Sequence, residues 1–286
     1  MRYASFTADG KASYGIVTDK GIVDLGKRVG DRYPTLKSLI SDDFPAEVEA
    51  LSAETADYGI DDVEYMVPVP DATDVWCLAL NYVEHLDEVV AAGRQQNLPA
   101  QPALFMRSIS SLVGHKQDLH HPGVSEQYDY EGELGVIIGK SGRNVSEEEA
   151  LDYVAGYTIV NEGCVRDWQF HTKQITPGKN WYRSGAVGPW MVRANEIADP
   201  HKLSIKTTLN DQVVQDGTSA DMVHKINKFI SYLSTITVLK PGDILSTGTP
   251  SGVGFSRKPP LWMKVGDVCT VEISGIGTLS NKIVAA

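Results

Sequence analysis

The chain has 286 residues, a formal net charge of -11 and a pI near 5.1. An acidic surface repels phosphate backbones and anionic bilayers, so nucleic acid and membranes are not expected partners, and no apolar run approaches the roughly 20 residues of a membrane helix. Cys77, Cys164 and Cys269 are too few and too scattered for a disulfide framework or a zinc set, and Met1 to Gly10 has no apolar leader core, so a reducing, cytoplasmic setting is expected.

In chain order, Arg2–Phe6, Ala12–Val17 and Gly21–Asp24 read as short strands, with turns at Asp9-Gly10 and Lys20-Gly21. Pro34 to Leu51 reads as one or two short helices. Val67-Pro68-Val69-Pro70-Asp71 cannot be regular helix, because proline lacks the donor and restricts the residue before it. It marks an expected boundary between a small N-terminal α+β unit, 1–70, and a larger unit, 71–286.

Tyr82 to Ala92 has helical periodicity. The segment between His85 and Pro102, with Gly93, a polar run and Pro99, does not support a long stable helix and is expected to be mobile. Tyr130 to Gly139 reads as a strand ending in an apolar run. Ser146 and Glu149 form a capping-box pattern that predicts a helix through Ala150 and Leu151. Asn210-Asp211 is a hairpin turn between Ser204–Leu209 and Gln212–Gln215. Met222, Ile226, Phe229, Ile230 and Leu233 share one helical face. Ile244–Thr247, Val268–Ile273 and Thr278–Val284 read as strands. Many strands without a βαβ rhythm predict α+β on a mixed sandwich or rolled sheet.

Four patterns carry possible chemistry. In Asp129-Tyr130-Glu131-Gly132-Glu133-Leu134, the two glutamates share a strand face. Carboxylates so close repel unless protonated or bridged by a cation, and hard oxygen ligands suit Mg²⁺, Mn²⁺ or Ca²⁺. On pattern alone a solvated acidic face is the commoner reading, but this pair leads directly into a buried apolar strand. His85 and Glu88 lie three apart on one helix face, where the carboxylate would fix the imidazole tautomer; alone, a surface pair is the commoner reading. Gly248-Thr249-Pro250-Ser251-Gly252-Val253-Gly254 follows an apolar strand and offers either an anion-binding nest or a tight turn. Lys179 sits among glycines and aromatics, where it could stabilise a developing oxyanion.

Taken in order, these stretches resemble the fumarylacetoacetate hydrolase superfamily from about Asp71 to Ile283. The matching pieces are Asn81-Tyr82 with His85 and Glu88, Tyr130-Glu131-Gly132-Glu133-Leu134, Ala155-Gly156-Tyr157-Thr158, Arg166-Asp167-Trp168-Gln169, Gly188-Pro189-Trp190, Lys240-Pro241-Gly242-Asp243 and the segment from Thr247 to Gly254. The resemblance implies a mixed β-roll, usually homodimeric, with a divalent metal, commonly Mg²⁺. It assigns Glu131 and Glu133 as metal ligands. His85 and Glu88 become a proton-moving dyad on a lid, and Lys179 lies near the reacting carbon. Gln169, Gly248 and Thr249 line the substrate site. Where the family usually has an Asn-Asp ligand pair, this chain has Asn161-Glu162, so Glu162 is the expected third ligand, one methylene longer. Arg107 stands at a common lysine position, and Arg183 lies in a segment that is usually Phe-Asp-Thr-Phe.

The implied activity is conversion of a 2-oxo acid or 2-hydroxydienoate through a metal-stabilised enolate. The reaction is C–C hydrolysis, or decarboxylation with isomerisation, of the kind found in hydroxymuconate-type enzymes of aromatic catabolism. Oxaloacetate decarboxylation or tautomerisation is an alternative, as is a catalytically silent metal- or ligand-binding member of the fold. Arg107, Arg183 and Lys179 form a cationic group in an acidic chain. Arg183 is therefore expected to read a second, distal carboxylate, making the substrate a dicarboxylate; a salt bridge to Asp167 is the competing reading.

Overall fold

A computed structural model describes residues 1–93 and 97–286. Among them, two sheets face each other. The larger has eleven strands. Its main path runs Gly21–Asp24, Lys11–Thr18, Arg2–Ala8, Gly185–Arg193, Val154–Asn161, Gly132–Ile138, Ile244–Ser246, Val75–Ala79 and Ala103–Arg107. The smaller has five, in the order Gln212–Thr218, Ser204–Leu209, Val268–Ile273, Gly277–Ala285 and Leu119–His121. Both contain antiparallel and parallel pairs, so the architecture is the α+β sandwich that the strand pattern predicts.

The central strand Gly132–Ile138 is buried along its whole length. Alternation sends its side chains two ways. Leu134, Val136 and Ile138 enter the core between the sheets, with Ile205, Val271 and Leu279 opposite. Ile137 faces the other side, against Tyr3, Leu36, Leu39 and Met191. A strand wrapped on both faces loses the polar alternation of a surface strand, which explains its continuous apolar run. Glu131 and Glu133 are the acidic exceptions at its start.

The N-terminal strands are not a separate sheet. Arg2 and Tyr3 pair with Val192 and Met191, extending the large sheet past its Gly185–Arg193 strand. The Pro68–Pro70 stretch is therefore a bend in the chain but not a break in the sheet. Such edge pairing joins residues nearly two hundred positions apart, and no local pattern encodes it.

Two helices match their periodicity, Val83–Ala91 and Ile226–Ile236, with Met222 buried in the turn before the second. The Ser146–Glu149 hydrogen bonds form, yet only the 3-10 turn Ala150–Tyr153 follows. The strand beginning at Val154 claims the chain before a helix can propagate. Of the stretch expected to be mobile, residues 94–96 lie outside the described residues. No helix of the structure is long and apolar enough to cross a membrane.

Candidate active site

The site is built around the start of the central strand. Gly132 pairs with Asn161 of the neighbouring strand, and the Glu162 amide donates to the Glu131 carbonyl at 2.8 Å. This antiparallel pairing brings Glu162 beside Glu131 and Glu133. The three are buried, and one oxygen from each lies within 4.8 Å of the others. Gly132 has a steric role between the two glutamates. A Cβ there would lie 2.2 Å from Thr207 Oγ1 and 3.0 Å from Val271 Cγ1 of the small sheet, so only glycine lets the sheets close at this point.

Each carboxylate is held differently. Glu133 accepts from Ser246 Oγ at 2.6 Å and from the Gly248 amide at 2.7 Å. Glu162 accepts from Arg107 Nη1 at 2.7 Å. Glu131 lies 2.6 Å from Arg166 Nη2. The Lys179 ammonium bridges Glu131 and Glu162. Asp129, fully buried, accepts from Arg166 Nε at 2.8 Å and from the amides of Gly254 and Phe255.

These contacts divide the titration behaviour. Burial works to raise the Glu131 carboxyl, but Arg166 and Lys179 overcome it and hold it well below the usual carboxylate range. Burial pushes the Glu162 carboxyl up to about 7 in spite of Lys179 and Arg107. Glu133 is driven well above its ordinary value by burial, then by Glu162 and Glu131. Burial tends to strip the Lys179 proton, but Cys164, Glu131 and Glu162 keep it on, above the usual lysine range. The cluster's cations thus favour charge on Glu131 and leave it disfavoured on Glu133.

The glutamates open onto a cavity of about 310 Å³, bordered also by His85, Lys179, Gln169 and Thr249, with apolar wall from Phe105, Phe170 and Phe255. His85 comes from the helix Val83–Ala91. Its Nδ1 is 2.7 Å from Glu88 Oε1; a carboxylate only accepts, so Nδ1 donates, and in the neutral ring Nε2 is the accepting nitrogen. Gln169 is similarly polarised. Its Oε1 accepts from Arg166 Nη1 at 3.1 Å and from the Cys164 thiol at 2.9 Å, which leaves its amide hydrogens as the free donors.

The structure therefore brings together His85, Glu88, Glu131, Glu133, Glu162, Lys179, Gln169 and Thr249. Three expected substrate contacts lie elsewhere. Arg107 is sealed behind Glu162 and also donates to the Gly163 carbonyl and Ser184 Oγ. Arg183 is outside the cavity, with its Nε 3.3 Å from the Asp118 carbonyl, and it does not pair with Asp167, which instead accepts from Ser125. The nest after Thr247 is filled by the protein itself: the Gly248 amide serves Glu133, Gly252 serves Glu88, and Gly254 serves Asp129. Gly163 makes room for the Ser184 carbonyl oxygen, 1.9 Å from where its Cβ would stand. Asp129 and Arg166 were in the quoted motifs, but their part in holding Glu131 and Gln169 was not legible there. The one signal was an acid two residues before Glu131.

The donors present fit a divalent cation. All three candidate ligands offer carboxylate oxygen, the set that suits Mg²⁺, Mn²⁺ or Ca²⁺. The disfavoured charge on Glu133, flanked by two further buried carboxylates, is what a divalent ion would relieve.

Burying this much charge costs several kcal/mol per uncompensated ion, and the charge surrounds a small cavity with a polarised histidine at its edge. Fold and site together define an enzyme acting on small molecules. The chain belongs to the fumarylacetoacetate hydrolase family, residues 74–284 matching the model described as "Fumarylacetoacetate (FAA) hydrolase C-terminal". It is 39% identical over 228 residues to the oxaloacetate tautomerase YisK of Bacillus subtilis, covering 79% of this chain and 75% of that protein. It superposes on a fumarylacetoacetate hydrolase from Exiguobacterium antarcticum with a TM-score of 0.86 and 32% identity, covering 100% of both chains. It also superposes on maleylpyruvate hydrolase from Sphingobium sp. SYK-6, solved with manganese(II) and pyruvate, with a TM-score of 0.82 and 28% identity, again covering 100% of both.

Proposed function

We propose that this protein tautomerises a small dicarboxylic 2-oxo acid of the oxaloacetate type, moving a proton between C3 and the 2-oxo oxygen. The observation that carries the reading is the polarised dyad, with His85 Nδ1 tied to Glu88 at 2.7 Å and the ring bordering the same cavity as the carboxylate cluster. A divalent cation held by Glu131, Glu133 and Glu162, with Mg²⁺ as the expected ion and Mn²⁺ as a substitute, would draw electron density from a chelated 2-oxo acid and make its C3 protons more acidic.

The remaining roles belong to the side chains. His85 Nε2 takes the C3 proton and, as the imidazolium, returns it to the 2-oxo oxygen, so that keto and enol forms interconvert without net proton change. The Lys179 ammonium and the Gln169 amide donors favour negative charge on the 2-oxo oxygen. The phenyl rings of Phe105, Phe170 and Phe255 keep the cavity dry enough for these interactions to count. Its volume of about 310 Å³ is at the small end for ligand sites, which suits a short acid.

Similarity to an oxaloacetate tautomerase at 39% identity favours this over C–C hydrolysis, for which the supporting neighbours, a fumarylacetoacetate hydrolase and a maleylpyruvate hydrolase, are 32% and 28% identical. The distal carboxylate has a better candidate than Arg183. Lys173 borders the cavity and is exposed, and among the described residues no ion pair or hydrogen bond engages its ammonium. The working unit is taken to be a homodimer, as the family resemblance implies.

The test is enol-oxaloacetate conversion followed by ultraviolet absorbance with Mg²⁺, Mn²⁺ or chelator, with product analysis for pyruvate. Metal-dependent conversion without pyruvate supports tautomerisation. Stoichiometric pyruvate would replace it with decarboxylation.

A further inference from the structure

We propose that Arg107 is a positioning residue that sets which divalent ion the site accepts. By keeping one oxygen of Glu162 on its guanidinium, it leaves that glutamate a single oxygen to offer, which favours a small ion such as Mg²⁺ or Mn²⁺ over Ca²⁺. This rests on the reading of Glu131, Glu133 and Glu162 as the ion's ligands.

The two oxygens of each glutamate are used differently. One is committed to fixed donors of the fold. Glu131 Oε1 lies 2.6 Å from Arg166 Nη2. Glu133 Oε2 accepts from Ser246 Oγ at 2.6 Å and from the Gly248 amide at 2.7 Å. Glu162 Oε1 accepts from Arg107 Nη1 at 2.7 Å. The other three oxygens form a second set. Glu131 Oε2 and Glu162 Oε2 share the Lys179 ammonium, and Glu133 Oε1 accepts no hydrogen bond among the described residues. Each carboxylate thus has one oxygen to spare.

Ions differ in what they ask of such a set. Mg²⁺ takes about six oxygens in a tight shell and keeps some of them as water, whereas Ca²⁺ takes roughly six to eight at longer range and often draws both oxygens of a carboxylate. Three ligands of one oxygen each, completed by water or a chelating 2-oxo acid, satisfy the first ion and under-serve the second.

Of the charged restraints, Arg107 is the one with no second duty at the site. Arg166 also carries Asp129 and Gln169. Besides Glu162, Arg107 donates only to neutral groups, Ser111 Oγ, the Gly163 carbonyl and Ser184 Oγ. Its place is built for it. A Cβ at Gly185 would stand 2.8 to 2.9 Å from three atoms of the guanidinium, so the glycine opens the slot in which the fork lies. The slot and these hydrogen bonds fix the fork, and Glu162 Oε1 stays on it.

The experiment uses the full chain, stripped with chelator and titrated calorimetrically with Mn²⁺ and with Ca²⁺. The wild type should bind Mn²⁺ about tenfold or more tighter than Ca²⁺. Arg107→Lys keeps the charge but has one nitrogen in place of the fork, so it should narrow that ratio severalfold through a gain in Ca²⁺ affinity. Arg107→Met should tighten both ions, Ca²⁺ by more; should it fail to fold, Arg107→Lys decides. In difference infrared spectra, the narrow carboxylate splitting of two-oxygen coordination should appear with Ca²⁺ in the variants only. The proposal is overturned if Arg107→Lys keeps the wild-type ratio, or if Arg107→Met tightens both ions equally, since lost charge alone acts on two divalent ions alike. It is overturned as well if the wild type already shows the narrow splitting. A wild type that binds neither ion overturns the ligand reading, and this proposal with it.

Discussion

Arg107 Nη1 donates to Glu162 Oε1 at 2.7 Å, with 0% and 1% of the two side chains exposed. The two residues that depart most plainly from the pattern the chain resembles, arginine at a common lysine position and glutamate at a common aspartate position, are thus one buried ion pair. The guanidinium fork engages Glu162, the Gly163 carbonyl, Ser184 Oγ and Ser111 Oγ together, more partners than an ammonium can serve in fixed geometry. The longer Glu162 reaches Arg107 with one oxygen and Lys179 with the other.

Breaking this pair from one side strands a charge in the core. Arg107→Met should cost about 3–5 kcal/mol of stability, the usual range for removing one partner of a buried pair. Arg107→Met with Glu162→Gln should recover part of that loss, and urea unfolding of the two variants measures the coupling.

Glu133 presents the opposite balance. Its charge is disfavoured by burial and by Glu162 and Glu131, while Ser246 and Gly248 donate to one oxygen that a glutamine can imitate. Glu133→Gln should leave metal-free stability unchanged or higher, yet weaken Mg²⁺ or Mn²⁺ binding by at least a hundredfold in calorimetric titration. A variant that binds Mn²⁺ like wild type would remove Glu133 from the ligand set.

The dyad should govern the rate more than binding. His85→Asn is expected to lower kcat by about 10²–10⁴, the range for losing a general base, with little change in KM. Equal effects on both constants would mean that His85 mainly shapes the cavity.

Distal-carboxylate recognition separates two cations. Lys173→Ala should lower kcat/KM about tenfold on a dicarboxylic 2-oxo acid and leave a monocarboxylic one nearly unchanged, since tenfold corresponds to about 1.4 kcal/mol. Arg183→Ala should affect neither, because its side chain is directed to the Asp118 carbonyl outside the cavity. Equal losses on both acids in Lys173→Ala would withdraw the dicarboxylate preference.

Acid sensitivity has a component far from the site. Burial, with Lys116 alongside, pushes the His115 imidazole down from 6.5 to about 4, and its Nδ1 accepts from the Ser280 amide at 3.1 Å, a bond that protonation there would break. The folded state therefore binds fewer protons than the unfolded chain between these values, and stability falls as pH drops from 6.5 toward 4. His115→Asn, whose carbonyl can accept the same bond, should lose less stability than wild type across that window in denaturant titrations.

The local features were legible in the sequence because they depend on neighbours in the chain. Period-two spacing put Glu131 and Glu133 on one face, helical spacing put His85 beside Glu88, and most strands and both main helices followed from apolar periodicity. The likeness to a known family added Glu162 and Gln169, which no spacing argument would have collected, and gave roles to Lys179 and Thr249, which their local surroundings had already singled out. Tertiary structure alone decided where the cations go and what the glycine-rich amides bind. Arg107 was drawn behind Glu162, and Arg183 was directed to the Asp118 carbonyl outside the cavity. The amides of Gly248, Gly252 and Gly254 were spent on the protein's own Glu133, Glu88 and Asp129. The physical reason is that buried charge must be balanced in three dimensions. The cations that balance it stand 17 to 55 residues from their carboxylates and some hydroxyl donors as far as 168, as Ser256 is from Glu88, so the pairing exists only once the sheets have closed.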